Sequence, residues 1–197
     1  MICRKTDSDS IEKSSDVLKK GGVLILPTDT VYGFSGIVDL KGRPEFKSDS
    51  RIRSIKGREE NKPLIQLIAK PEDLSIYTDV KLPSGLLSAW PGPLTVIVDI
   101  KKDSPFAFTC QTVAFRCPGD EWLRKVIEKC GAPVYSTSVN RSGCPVLTEE
   151  RKIIAEFEGE CDLIVLAGDT GNSLPSTIVR LQSDGSYSLI RQGAVKV

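Results

Sequence analysis

The apolar residues of this chain come in runs of four or five, and those runs alternate with stretches of helical period. Val23-Leu24-Ile25-Leu26 is ended by Pro27, and Leu163-Ile164-Val165-Leu166 repeats the layout near the other end. Such runs are too short for buried helices and read as strands with both faces covered. Strands separated by helices, with strand-rich stretches late in the chain, predict an α/β fold with a mixed sheet.

The remaining elements follow from the same signals. Asp9-Ser10-Ile11-Glu12 has the form of a capping box and Gly21-Gly22 of a stop, so a helix is expected between them. Residues 46–55 form a weakly patterned helix. Leu123, Val126, Ile127 and Cys130 share one helical face, closed by Gly131, and 149–157 form another short helix. Strands are expected at 64–68, 94–98, 112–116, 134–138, 177–179 and 187–190. No repeat, low-complexity tract or long linker divides the chain, so residues 1–197 are read as one domain.

Composition excludes several chemistries. The chain has no histidine, which removes a Ser-His-Asp triad, a Cys-His pair, a His-ligated zinc and an imidazole base. Six cysteines without a C-x-x-C pair argue against structural zinc and read as small core residues of a reduced, cytoplasmic protein. Lys and Arg total 27 against 26 Asp and Glu, so no global basic field attracts nucleic acid. The first residues show no signal core, and no run is long enough to span a membrane.

Neither G-x-x-x-x-G-K-[ST] nor G-x-G-x-x-G is present. Polar pairs sit instead where strands end: Thr28 and Thr30, Lys56 and Arg58, Ser138 and Asn140. In extended backbone residues two apart share a side, so each pair presents two groups to a cleft; equally, each serves as a turn former or cap. The run from Arg51 to Lys62 reads as a phosphate clamp, a solvated helix end or a patch for RNA phosphates. Arg116 ends an apolar strand and requires an anionic partner, either a substrate carboxylate or a structural Asp. Arg191 is a second candidate anion ligand or an exposed edge-strand charge. Trp90 reads as core, and no histidine exists to activate Cys117 or Cys144 as a nucleophile.

In order along the chain stand Leu26-Pro27-Thr28-Asp29-Thr30-Val31-Tyr32-Gly33, Lys56-Gly57-Arg58, Pro63-Leu64, Trp90-Pro91-Gly92-Pro93-Leu94-Thr95 and Val113-Ala114-Phe115-Arg116. Then come Ser138-Val139-Asn140-Arg141-Ser142-Gly143, Pro175-Ser176-Thr177-Ile178-Val179 and Arg191-Gln192-Gly193-Ala194-Val195. Each is weak alone; together, in this order, the chain resembles the YrdC/TsaC family, the L-threonylcarbamoyladenylate synthases, in its short form.

The resemblance implies a twisted mixed sheet flanked by helices around a positively charged central cavity. It implies an enzyme, a nucleotidyltransferase, that joins L-threonine, bicarbonate (or CO2) and ATP into threonylcarbamoyl-AMP and pyrophosphate. Partner proteins then transfer the threonylcarbamoyl group to tRNA adenosine 37. By position, Thr30, Arg116, Ser138 and Ser176 would hold threonine. Arg58, Lys62, Thr112, Asn140, Thr148 and Arg191 would line the ATP site, and Lys56 and Arg58 would supply catalytic positive charge. Mg2+ is expected with ATP, with no protein ligands assigned. Leu67 departs from a family histidine, Glu59 from a proline and Val139 from an alanine. Two rivals remain at this level: an RNA-binding module without turnover, and a related enzyme whose carbamoyl-adenylate chemistry ignores threonine.

Overall fold

Ten strands of one mixed sheet carry the chain in a computed structural model that describes residues 1–57 and 63–197. In order the elements are β1 (Ile2–Arg4), α1 (Ser10–Lys19), β2 (Leu24–Leu26), β3 (Gly33–Ile37), α2 (Ser48–Lys56), β4 (Ile65–Leu67) and a 3-10 turn (Pro71–Ile76). There follow α3 (Ser84–Leu87), β5 (Leu94–Asp99), β6 (Thr112–Arg116), α4 (Glu121–Cys130), β7 (Val134–Ser138), α5 (Glu150–Phe157), β8 (Leu163–Leu166), β9 (Thr177–Leu181) and β10 (Tyr187–Arg191). Across the sheet they lie β1-β8-β2-β3-β7-β4-β6-β5-β9-β10. β2 runs parallel to β8 and antiparallel to β3, and β4 runs parallel to β6 and antiparallel to β7, so the sheet is mixed as the sequence predicts.

The two apolar runs behave as expected: β2 and β8 are buried along their whole length. α4 also follows its pattern. Asp120 accepts from the Leu123 N–H at 3.1 Å, Gly131 closes the helix at φ 65°, and Leu123, Val126, Ile127 and Cys130 turn inward. The capping box before α1 does not form. Asp9 makes no side-chain cap; it pairs with Lys13 at 2.8 Å, while Glu12 is drawn to Lys129. Solvent-facing cations, Lys13 one turn on and Lys129 of α4, outcompete the backbone N–H groups for these carboxylates.

Two strands are absent from the sequence reading, β1 and β3. β3 reads Gly33-Phe34-Ser35-Gly36-Ile37, a composition with weak strand preference. Its glycines serve close packing: a Cβ at Gly36 would lie 2.6 Å from the Ser48 Cβ of α2. Of the cysteines, Cys3, Cys117, Cys130 and Cys161 are core residues, whereas Cys110 is partly exposed and Cys144 exposed, against the expectation that all are core. Trp90 is buried and donates from Nε1 to the Leu94 carbonyl at 2.7 Å. No helix among the described residues is long and apolar enough to cross a membrane.

Register fixes which side each residue faces. Ser35, Ser136, Ile65 and Ala114 form one row across four strands, and Gly36, Tyr135, Gln66 and Phe115 form the next. Successive rows project to opposite sides of the sheet. Because α2 packs on Gly36, the Tyr135–Gln66 row faces α2 and the Ser136 row faces away.

Candidate active site

On the side away from α2 the sheet leaves a cavity of about 330 Å3. Seven of the residues singled out in the sequence line it: Thr28, Thr30, Arg116, Ser138, Thr148, Ser176 and Arg191. They come from the β2–β3 turn, the ends of β6, β7 and β10, the segment before α5 and the start of β9. Strand ends supply them because the side-chain row of a strand continues into the loop, where nothing packs above it.

Arg116 is 4% exposed, and each nitrogen of its guanidinium donates one hydrogen bond within the protein. Nη1 donates to Thr30 Oγ1 at 2.9 Å, Nη2 to Asp29 Oδ1 at 2.5 Å and Nε to the Gly92 carbonyl at 3.2 Å. Burial pulls its pKa down and Asp29 pushes it back up, so the two effects oppose while the group stays cationic. The sequence offered a substrate carboxylate or a structural Asp as its partner; Asp29 is that Asp.

Arg191 differs. It belongs to an exposed strand, yet its guanidinium turns inward, with Nη2 2.8 Å and Nε 3.2 Å from the Ser176 carbonyl. Desolvation lowers its pKa, and among the described residues it pairs with no carboxylate. Two guanidinium groups therefore meet one carboxylate, which leaves this end of the cavity suited to an anion.

Hydroxyls fill the space between them. Thr28 Oγ1 and Thr30 Oγ1 lie 2.9 Å apart in a tight turn whose Thr30 N–H also bonds Thr28 Oγ1, so this pair meets through turn geometry and not through extended backbone. Ser176 Oγ shares a hydrogen bond with Thr95 Oγ1 at 2.8 Å. The approach of β10 to Ser176 depends on Gly193, where a Cβ would stand 2.2 Å from the Pro175 carbonyl oxygen.

Other predicted residues lie elsewhere. Lys56 is 2% exposed and its ammonium donates to the Ser138 and Asn140 carbonyls and to Asn140 Oδ1, the last two at 2.9 Å. Asn140 Oδ1 also accepts from Ser138 Oγ at 2.8 Å, and its amide donates to the Arg141 and Cys144 carbonyls. Neither Lys56 nor Asn140 lines the cavity; together they hold the turn that presents Ser138. Thr112 borders a different cavity. Arg58 and Lys62 lie outside the described residues.

Sequence reasoning gave no role to Asp29 or Tyr32. Tyr32 accepts from the Ala167 N–H at 2.8 Å and donates to the Gly168 carbonyl at 2.9 Å, tying the end of β8 to the cavity wall. Burial pushes its pKa up to about 12, so it keeps its proton at neutral pH. The signal for Asp29 was adjacency to Thr30; nothing in one sequence separates it from an ordinary turn aspartate.

Comparison with known proteins places this geometry. The family described as telomere recombination, Sua5/YciO/YrdC, matches residues 16–193. The threonylcarbamoyl-AMP synthase of Bacillus subtilis is 31% identical over 196 residues, covering 96% of this chain and 55% of that protein. The threonylcarbamoyl-AMP synthase of Pyrococcus abyssi is 30% identical over 190 residues, covering 94% and 54%. This chain thus spans about half the length of these two relatives. The crystal structure of P. abyssi Sua5 complexed with L-threonine superposes with a TM-score of 0.78 at 30% identity, covering 93% of this chain and 54% of that one. With the match running through both ends of the cavity, from the turn before β3 to Gly193 beyond β10, the chain belongs to the Sua5/YciO/YrdC family.

Proposed function

We propose that this chain is an L-threonylcarbamoyladenylate synthase, forming threonylcarbamoyl-AMP and pyrophosphate from L-threonine, bicarbonate or CO2 and ATP, in the cytoplasm. One observation carries the reading: Thr30, Arg116, Ser138 and Ser176, the four residues that the resemblance ties to threonine, line one cavity together with Arg191. That one relative was crystallised with L-threonine supports it.

The chemistry suits what the cavity offers. The threonine amine adds to the carbon of CO2 and loses a proton, giving a carbamate; a carbamate oxygen then attacks the α-phosphorus and pyrophosphate departs. Nothing in this sequence of bonds demands an imidazole. It needs the carbamate and α-phosphate held in line and the phosphate charge neutralised. Arg116, preset by Asp29 and Thr30, faces the amino acid. Arg191 and Thr148 face the nucleotide, and Arg58 and Lys62 add charge to its phosphates. Lys56 acts through the Ser138–Asn140 turn as a positioning residue.

Mg2+ enters as part of the nucleotide substrate. Its ligands would be the phosphates and water. The product feeds proteins that transfer its threonylcarbamoyl group to tRNA adenosine 37. The RNA-binding reading is not favoured: Arg51 pairs with Asp162, and Arg141 with Glu156 and Glu160, so these cations are already neutralised.

The test is pyrophosphate release from MgATP and bicarbonate, with and without L-threonine. Release that requires both L-threonine and bicarbonate is expected. Turnover indifferent to threonine would transfer the chain to carbamoyl-adenylate chemistry, and no turnover in a folded protein would overturn the reading.

A further inference from the structure

The connection from β8 to β9 is wound against the start of α5, where two neighbouring acids turn to different surroundings. Glu149 pairs with the exposed Lys152 and Arg151. Glu150, the first residue of α5, turns its carboxylate to the connection instead. Its Oε1 accepts from the Gly168 N–H at 2.5 Å and lies 3.2 Å from the Tyr32 hydroxyl oxygen.

An acid at the first position of a helix is favoured by the helix dipole whatever else it does. Glu150 goes further. Its own N–H, which has no acceptor within the helix, donates to Asp169 Oδ1 at 2.9 Å, so the connection caps α5 while the Glu150 side chain caps the connection. The Tyr32 hydroxyl gives its one proton to the Gly168 carbonyl at 2.9 Å and accepts from the Ala167 N–H at 2.8 Å. Gly168 is thus held at both its N–H and its carbonyl, at a φ of 95° that glycine adopts readily. Two residues further on, the Thr170 N–H donates to the Thr148 carbonyl at 2.9 Å.

Three walls of the Arg116 cavity meet at this carboxylate. Tyr32 stands before β3, Thr148 precedes α5, and Ser173 belongs to the connection that Gly168 begins; all three line the cavity, and Glu150 does not. The same connection runs on to Ser176, whose carbonyl accepts from Arg191. A shift of Gly168 therefore moves the support of Thr148 and Arg191, the two groups that the proposed reaction turns toward the nucleotide. At the threonine end, Arg116 and the Ser176 hydroxyl answer instead to Asp29, Thr30 and Thr95. We propose that Glu150 is a positioning residue of the synthase reaction, setting the nucleotide end of the cavity without touching a substrate. This rests on the assignment of the cavity to threonylcarbamoyl-AMP formation.

The test measures pyrophosphate release by the full chain as wild type, Glu150→Ala, Glu150→Gln and Glu150→Asp. MgATP is varied at saturating L-threonine and bicarbonate, then L-threonine at saturating MgATP. Glu150→Ala should raise the KM for ATP about tenfold and that for L-threonine less than about twofold. Glu150→Gln keeps an oxygen that accepts from the Gly168 N–H and should recover most of the loss. Glu150→Asp keeps the charge at the start of α5 but draws the carboxylate back by one methylene, and should behave like the alanine variant. A residue serving only stability or the helix dipole predicts otherwise: Glu150→Asp like wild type, and a lowered melting temperature in Glu150→Ala with both KM values unchanged. Three results would overturn the inference and leave the synthase reading in place. They are a folded Glu150→Ala with an unchanged KM for ATP, equal rises in the two KM values, and a glutamine variant no better than the alanine one. A wild type without threonine-dependent release would overturn both. Should Glu150→Ala fail to fold, the aspartate and glutamine variants decide by the same comparison.

Discussion

Asp29 holds one arm of the Arg116 fork at 2.5 Å, and Thr30 holds the other at 2.9 Å. Asp29→Asn keeps the shape of that contact but removes the charge, leaving a buried guanidinium to be solvated by neutral groups. The expected cost to stability is about 2 kcal/mol, less than for a fully buried pair because Asp29 is partly exposed. The larger effect falls on function: the KM for L-threonine should rise about tenfold while that for ATP changes far less. Equal rises in the two would show that Asp29 does not act through Arg116 on the amino acid. At this scale the sequence was a mixed guide. It picked out the residues that face the cavity, because Thr, Ser and Arg at strand ends are conspicuous among apolar neighbours. It read Lys56, beside Gly57 and Arg58, as catalytic positive charge, and the fold adds that its ammonium donates to three acceptors of the Ser138–Asn140 turn. One sequence does not say which acceptors will surround a cation.

Elements are joined by a small number of polar contacts, of which Asp162 makes the most consequential. Its carboxylate accepts from the Val23 N–H before β2 at 2.7 Å and from Arg51 of α2 at 2.5 and 3.1 Å. Burial alone would raise its pKa, but these hydrogen bonds outweigh it and the folded value lies below the ordinary one. A lowered folded pKa means that its stabilisation is complete above the unfolded value of about 3.9 and is lost as pH falls through the folded value. Acid unfolding of wild type and Asp162→Asn should therefore show a stability gap at neutral pH that closes below about pH 4. A gap constant down to pH 2 would remove Asp162 from the acid response. Period and caps made α4, β2 and β8 legible because burial there is one-sided or complete. β3 was illegible for the opposite reason: Gly36 answers to the close approach of α2 and Gly33 to that of Ser136 on β7, tertiary demands that no local pattern encodes.

Across the whole molecule the Arg116 cavity draws on residues from Thr28 to Arg191, so no single segment carries it. The order of motifs along the chain identified the set long before any one of them identified a role. Assembly of such a site is tied to the weakest of its walls. That wall is β10, an edge strand with every residue exposed, bonded to the sheet only through β9, and it brings in Arg191. The two tryptophans lie far from it in the chain, Trp90 buried and Trp122 half-buried against the core, and report on the rest of the fold. In a urea titration, pyrophosphate release should fail at a lower concentration than the change in tryptophan fluorescence; coincident midpoints would mean that β10 unfolds only with the rest. In native-state hydrogen exchange the amides of β10 should open with a smaller free energy than those of β2 or β8. A ligand that engages Arg191 would then do more than occupy a cavity: by pinning a fraying strand it would lend the sheet a boundary that the free protein keeps only part of the time.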